Sequence, residues 1–165
     1  SPLPKFEAGL TASLEWRGID FSMFWTSRYG NKGYNSTRAG ILATYVNSMP
    51  ADYKPWTWDN PSNEDPRMYA NASNNTMANT DRFLEDGSFL RLKNLQLGYS
   101  IPTNISKRFG VQRLRMYVSG QNLWTITGYK GYDPELISTN VFSQGYDSGQ
   151  FPNTRQYNVG LQVTF

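Results

Sequence analysis

The sequence contains neither cysteine nor histidine among its 165 residues. Without cysteine there is no disulfide scaffold, thiol nucleophile or zinc-finger site. Without histidine the chain lacks the usual general base and the commonest metal ligand. The acidic residues between positions 59 and 86 do not have the spacing of an EF-hand. We therefore predict that the chain is not an enzyme and holds no cofactor or metal.

The sequence also lacks a large excess of either charge and lacks long apolar runs. Sixteen basic and 13 acidic residues give a net charge of +3. The longest basic cluster is the pair Lys107 and Arg108, so we predict no nucleic-acid partner. No run approaches the 18 apolar residues that a membrane-spanning helix requires. A membrane β-barrel is still possible, because its strands alternate apolar and polar residues.

Aromatic residues, by contrast, make up 15% of a chain whose mean hydropathy is −0.61. Many lie in segments of strict alternation, which is typical of half-buried strands. From Phe6 to Trp16 every second residue is apolar. A break in phase near Lys93 predicts a bulge or a change of environment. The predicted strands span residues 5–17, 19–28, 88–101, 112–124 and 154–165.

The lengths of the strands and connections favour a membrane barrel. About 12 residues at roughly 3.3 Å each, tilted near 45°, rise about 28 Å, close to the roughly 25 Å apolar band of such barrels. Short turns at 17–19 and 102–111 alternate with long loops at 29–86 and 125–153, which predicts periplasmic turns and extracellular loops. The predicted fold is all-β, a transmembrane antiparallel β-barrel. Five strands cannot close one, so we expect a fragment of a larger barrel.

The alternative is a soluble or surface-attached β-sandwich that binds carbohydrate. Strands of about 12 residues and a loop of 58 residues count against a compact domain of this size. The two folds differ in what covers the apolar face. Lipid contacts the outward side chains of the first and last strands in a barrel, whereas a second sheet covers them in a sandwich. These side chains are Phe6, Leu10, Leu14, Val159, Leu161 and Val163.

Several motifs resemble the SusC/RagA family of TonB-dependent outer-membrane transporters. The clearest are residues 86–102 (DGSFLRLKNLQLGYSIP) and 114–135 (LRMYVSGQNLWTITGYKGYDPE). Residues 4–6, 16–21, 29–32, 151–155 and 157–165 are also similar. These blocks cover all five predicted strands in the order of the family.

This resemblance implies that the chain is the C-terminal five-strand portion of a 22-stranded, plugged barrel. It places the parent in the outer membrane of a Gram-negative bacterium, as an active importer of oligosaccharides or oligopeptides. The implied partners are a SusD-like surface lipoprotein, the TonB complex, membrane lipid and the rest of the barrel and plug. TonB would be contacted through parts that this chain does not include.

Aromatic side chains in the two long loops are the candidate ligand contacts, because flat rings offer large apolar area with little entropy to lose. For Trp56 and Trp58 we favour the alternative that they pack the loop onto itself or onto the lipoprotein. An apolar stripe predicts a helix over residues 36–49, capped by Ser36 or Thr37 and stopped by Pro50. The candidate ligand-binding residues are Tyr53, Trp56, Trp58, Tyr129 and Tyr132.

The last strand resembles the signal by which the assembly machinery recognises barrel proteins. Its unpaired backbone groups cannot remain bare in hydrocarbon. We therefore expect it to pair with residues 113–124 on one edge and with the first strand of the barrel on the other. Phe165 also fits a role as a rim aromatic. The predicted assembly-signal residues are Tyr157, Val159, Leu161, Val163 and Phe165.

Overall fold

A computed structural model of the chain describes residues 1–42, 50–67, 80–136 and 141–165. The chain divides into two compact units. The sheet unit comprises residues 5–29, 89–127 and 153–165, and the loop unit comprises residues 1–4, 30–88 and 128–152. Within the described ranges, the helices are too short or too polar to cross a membrane.

The described residues form eight strands, two short α-helices and four 3₁₀ turns. In the sheet unit the five long strands form one antiparallel sheet in the order β1-β2-β5-β6-β8. Each of the five overlaps one predicted run. The strands are β1 (Phe6–Trp16), β2 (Ile19–Tyr29), β3 (Lys32–Asn35), β4 (Leu84–Asp86), β5 (Phe89–Ser100), β6 (Arg113–Thr127), β7 (Tyr146–Asp147) and β8 (Gln156–Thr164). The helices are α1 (Ser36–Leu42) and α2 (Thr103–Ser106).

The register of the sheet aligns residues of like polarity, because directly paired residues in an antiparallel sheet share a face. One transverse row crosses all five strands and is entirely apolar: Leu14, Phe21, Leu97, Val118 and Val159. The adjacent row on the opposite face is entirely polar: Ser13, Ser22, Gln96, Ser119 and Asn158.

The apolar face of the sheet is open. Leu10, Leu14, Val159 and Leu161 are 61%, 64%, 86% and 62% exposed. A second sheet, which the sandwich alternative requires, would bury these side chains. Exposed apolar side chains in continuous rows are typical of a lipid-facing surface.

Two local features shape the sheet. The pairing of β5 with both neighbours shifts at Lys93, so the predicted bulge is confirmed. A two-residue turn joins β1 to β2, with positive φ at Arg17 (49°) and Gly18 (87°). Two positive φ values are those of the type I′ turn, whose twist matches that of antiparallel strands.

The five long strands all differ from their sequence-based bounds by at least one residue, and the differences are largest in β6 and β8. β6 continues past residue 124 to Thr127, because Leu90 and Phe89 of β5 still pair with Ile126 and Thr127. β8 begins at Gln156 rather than at 154 and pairs with β6, as expected for one of its edges. The pairing of its other edge stays a prediction.

The loop unit contains a small three-stranded sheet of its own. β3 pairs with β4 in antiparallel and with β7 in parallel orientation. Phe83 is 1% exposed and makes an edge contact with Tyr34, whose other neighbour is the stacked ring of Tyr146 at 5.6 Å. Phe83 forms the buried core of the unit together with Ala39 and Tyr129, whereas Tyr146 is 49% exposed.

Helix α1 follows β3 directly. The amide of Arg38 donates to Oδ1 of Asn35 at 2.8 Å, which is the geometry of an N-cap. The cap expected at Ser36 or Thr37 is therefore wrong, because the Ser36 hydroxyl donates instead to the main-chain oxygen of Asp147. The helix is described to Leu42, and the rest of its predicted span, residues 43–49, lies outside the described residues.

Candidate ligand-binding site

The five candidate aromatic residues all belong to the loop unit but differ in accessibility. Trp58 is 82% exposed and meets Trp56 edge-on, with ring centroids 5.1 Å apart. Tyr53 is half-buried, and its hydroxyl donates to the main-chain oxygen of Pro66 at 3.1 Å. Tyr132 is 64% exposed. Trp58 and Tyr132 therefore present free ring surface.

Tyr129 has a different position from the other four. It is only 6% exposed, and its hydroxyl donates to Oδ2 of Asp147, itself 2% exposed. Burial and the neighbouring Asp147 carboxylate raise the pKa of Tyr129 well above its usual value. The phenol therefore stays protonated and donates its hydrogen bond to Asp147 within the unit. Its buried ring offers little free surface to a ligand.

Asp147 links three segments of the loop unit. Its Oδ2 accepts from Tyr129, its Oδ1 accepts from the amide of Gly149 at 2.8 Å, and its main-chain oxygen accepts from Ser36. A parallel link joins Glu85 to Asn35 and to the amide of Lys130. These contacts tie α1, β4 and β7 to the segment that carries Tyr132.

Beside Tyr132 the structure contains a cavity of about 230 Å³. Arg38, Ile41 and Pro50 contribute to one part of the wall, and Lys130 with Tyr132 to another. The Asp52 carboxylate accepts from Arg38 Nη1 at 3.0 Å and from Lys130 Nζ at 3.1 Å. This site combines two cations, one aromatic ring and apolar surface.

The acidic group of this site has a strongly perturbed pKa. Hydrogen bonds from Arg38 and Lys130 lower the pKa of Asp52 to about 2. Because the pKa is depressed, the ion pairs are intact above the ordinary carboxyl range and are lost only as the pH falls toward 2. The position between the two cations therefore favours a negative charge at any physiological pH.

Arg38, Asp52 and Lys130 were missed by sequence reasoning. The two hydrogen bonds of Asp52 span 14 and 78 residues. Neither partner lies at a periodic spacing that a strand or helix pattern would reveal. The one sequence feature that could have indicated this site is the position of Asp52 next to Tyr53 and near Trp56.

The polar face of the sheet carries a second cluster. Arg115 makes a two-pronged ion pair with Asp20 across β5, with Nε to Oδ1 at 2.9 Å. The pair lies over Gly98, where any side chain would collide with both groups. Tyr117 lies beneath the guanidinium at 5.1 Å and covers Gly160. Period-two alternation places these side chains on the polar face, but it does not reveal that Asp20 and Arg115 pair across β5.

Comparisons with known proteins relate the chain to one group. No protein-family model matches it. TonB-dependent receptor P3 of Formosa agariphila is 34% identical over an alignment of 170 positions, which covers 99% of this chain and 17% of that protein. TonB-dependent receptor SusC of Bacteroides thetaiotaomicron is 29% identical over an alignment of 164 positions, which covers 95% of this chain and 15% of that protein. The chain thus spans about a sixth of the curated relatives it matches.

Solved structures give the same relationship. A structure of the RagAB peptide transporter matches with a TM-score of 0.76 and 27% identity over 100% of this chain and 18% of that one. The RagAB peptide importer in the open-open state matches with a TM-score of 0.74 and 27% identity, and the match covers 98% of this chain and 17% of that one. Over nearly its whole length the chain is therefore homologous to one segment of the TonB-dependent receptors, SusC among them, and it has the fold of the matching segment of RagAB.

Proposed function

We propose that the parent protein is an active importer of oligosaccharides or oligopeptides, driven by the TonB complex. In this proposal the chain forms the C-terminal five strands of a 22-stranded, plugged barrel. The two-faced sheet carries the proposal, because its apolar rows are exposed on one side and its polar rows lie on the other. Such a sheet suits a wall between lipid and a polar lumen. A non-enzymatic role agrees with the names of the relatives.

The proposed partners follow from the same comparison. A SusD-like surface lipoprotein would cover the extracellular loops, and a plug from another part of the parent would fill the lumen. The polar cluster of Asp20, Arg115 and Tyr117 would then line that lumen. RagAB is described as a peptide importer, whereas SusC is described as a receptor, so these names leave both substrate classes in the proposal.

Uptake by cells tests the import function. Cells that produce the parent should accumulate a fluorescent oligopeptide or oligosaccharide, and deletion of TonB should abolish accumulation but retain binding at the surface. Accumulation that persists without TonB would contradict active import. Binding without accumulation in the strain that has TonB would also contradict it.

Replacing Trp58 by alanine should weaken ligand binding by the intact importer about 2- to 12-fold, the equivalent of about 0.5–1.5 kcal/mol for one lost aromatic contact. Equilibrium titration of the purified importer with its imported ligand measures this change. Phe151→Ala is the matched control, because Phe151 is 80% exposed in the same unit but was not predicted to bind. If Trp58→Ala instead reduces co-purification of the lipoprotein and leaves affinity unchanged, Trp58 is a partner contact.

A further inference from the structure

The cavity beside Tyr132 has a charge arrangement that suits an anionic ligand. Arg38 and Lys130 contribute two positive charges, and Asp52 neutralises one of them. The side chains of Asp52 and Lys130 are 47% and 58% exposed, so solvent and solutes reach the ion pair. An exposed ion pair is held weakly, because hydration competes with it. A second carboxylate can therefore take the place of Asp52.

The apolar part of the cavity defines what must accompany the charge. Ile41, Pro50 and the ring of Tyr132 line the space next to the two cations. A volume of about 230 Å³ is below the roughly 300 Å³ lower bound of pockets for drug-sized ligands. The space therefore suits one unit of a longer ligand, with a flat or apolar face against Tyr132.

The backbone around this cavity is held in place before any ligand arrives. The amide of Lys130 donates to Glu85 at 2.8 Å, and the preceding residue, Tyr129, is bonded to Asp147. On the other wall, Asn35 caps the helix that carries Arg38. Fixed donors reduce the entropy lost on binding.

We propose that Arg38 and Lys130 form a subsite for a carboxylate on a single residue or sugar unit of the ligand, with Tyr132 against its ring and Asp52 displaced. Asp52 is then an internal competitor that occupies the subsite when no ligand is bound. The inference rests on the proposed function only in that the parent must encounter such ligands. The carboxylate has two possible sources, the C-terminus of a peptide and the acid group of a uronic acid.

Matched acid and neutral probes test the subsite in the full-length parent, purified in detergent. The peptide pair is Ala-Ala-Phe and its C-terminal amide, and the sugar pair is trigalacturonic acid and its methyl ester. In at least one pair the acid should bind about three- to tenfold more tightly than the neutral form, as expected for a partly exposed charge contact. The pair that responds identifies the source of the carboxylate.

Variants separate binding from structural support. Asp52→Asn removes the internal competitor, so it should raise the affinity for the acid probe about three- to tenfold and leave the neutral probe unchanged. Arg38→Gln and Lys130→Gln should each abolish the preference for the acid. Unchanged melting temperatures of the variants establish that the proteins are folded.

Three results would overturn the subsite. These are equal binding of acid and neutral forms, no binding of either acid at millimolar concentration, and a loss of acid affinity in Asp52→Asn. The last result would make Asp52 a structural partner of the two cations. Uptake of the neutral probes distinguishes the failures: if cells import amide or ester without an acid preference, the import function stands and the subsite does not.

Discussion

Val118→Arg is expected to remove most of the folded parent protein from the outer membrane, whereas Ser119→Arg should leave its amount close to the wild-type level. The two residues are neighbours near the middle of β6 and point to opposite faces. Val118 belongs to the apolar row and is 48% exposed. Arginine facing lipid at the bilayer midplane costs about 2–4 kcal/mol, a factor of about 30 to 700 in the folding equilibrium.

Immunoblots of outer-membrane fractions measure this difference, and blots of whole cells control for synthesis. The matched pair matters because both variants add the same charge and bulk to the same strand. Equal assembly of the two variants would mean that the apolar face does not lie in lipid. A severe defect in Ser119→Arg with normal Val118→Arg would reverse the assignment of the faces.

The sheet could be predicted from sequence because its physical signal is periodic. Side chains alternate with a period of two, and a slip of one residue would exchange the lipid and polar faces of a strand. The alternation from Phe6 to Trp16 therefore fixes the orientation of β1, and its register follows from the tight turn at Arg17 and Gly18. The break in phase at Lys93 was readable for the same reason.

The loop unit could not be predicted in the same way, since its contacts have no period. Tyr129 and Tyr132 are both tyrosines of one short segment, yet one is buried and the other exposed. The two residues are of the same type, and what differs is that the Tyr129 hydroxyl donates to Asp147, 18 residues away in the sequence. Likewise, Lys130 donates a hydrogen bond to Asp52, which is 78 residues away in the sequence, and no local sequence pattern predicts such a pair.

The buried bond between Tyr129 and Asp147 leads to the second prediction. Tyr129→Phe leaves a buried acceptor without this donor, which costs about 1–3 kcal/mol. The open population of the loop unit should therefore increase about 5- to 150-fold. Hydrogen exchange of peptides covering residues 32–42 and 128–136 in the parent measures it. Tyr132→Phe removes the same atom from an exposed ring and should change neither peptide.

The same bond gives the loop unit a dependence on pH. The pKa of Tyr129 is raised in the folded unit from its ordinary value of 10.0. A group whose neutral form is favoured by folding contributes its full stability below the unfolded pKa and loses it as the pH rises above that value. Protection of residues 128–136 should therefore be constant from neutral pH to near pH 10 and should fall at higher pH. In Tyr129→Phe this alkaline loss should be smaller at these amides, with a remainder from Tyr34, whose pKa is also raised by burial, whereas Tyr132→Phe should retain the full loss. An alkaline loss of equal size in both variants would show that another group is responsible, and the bond to Asp147 would then not be what holds the unit closed.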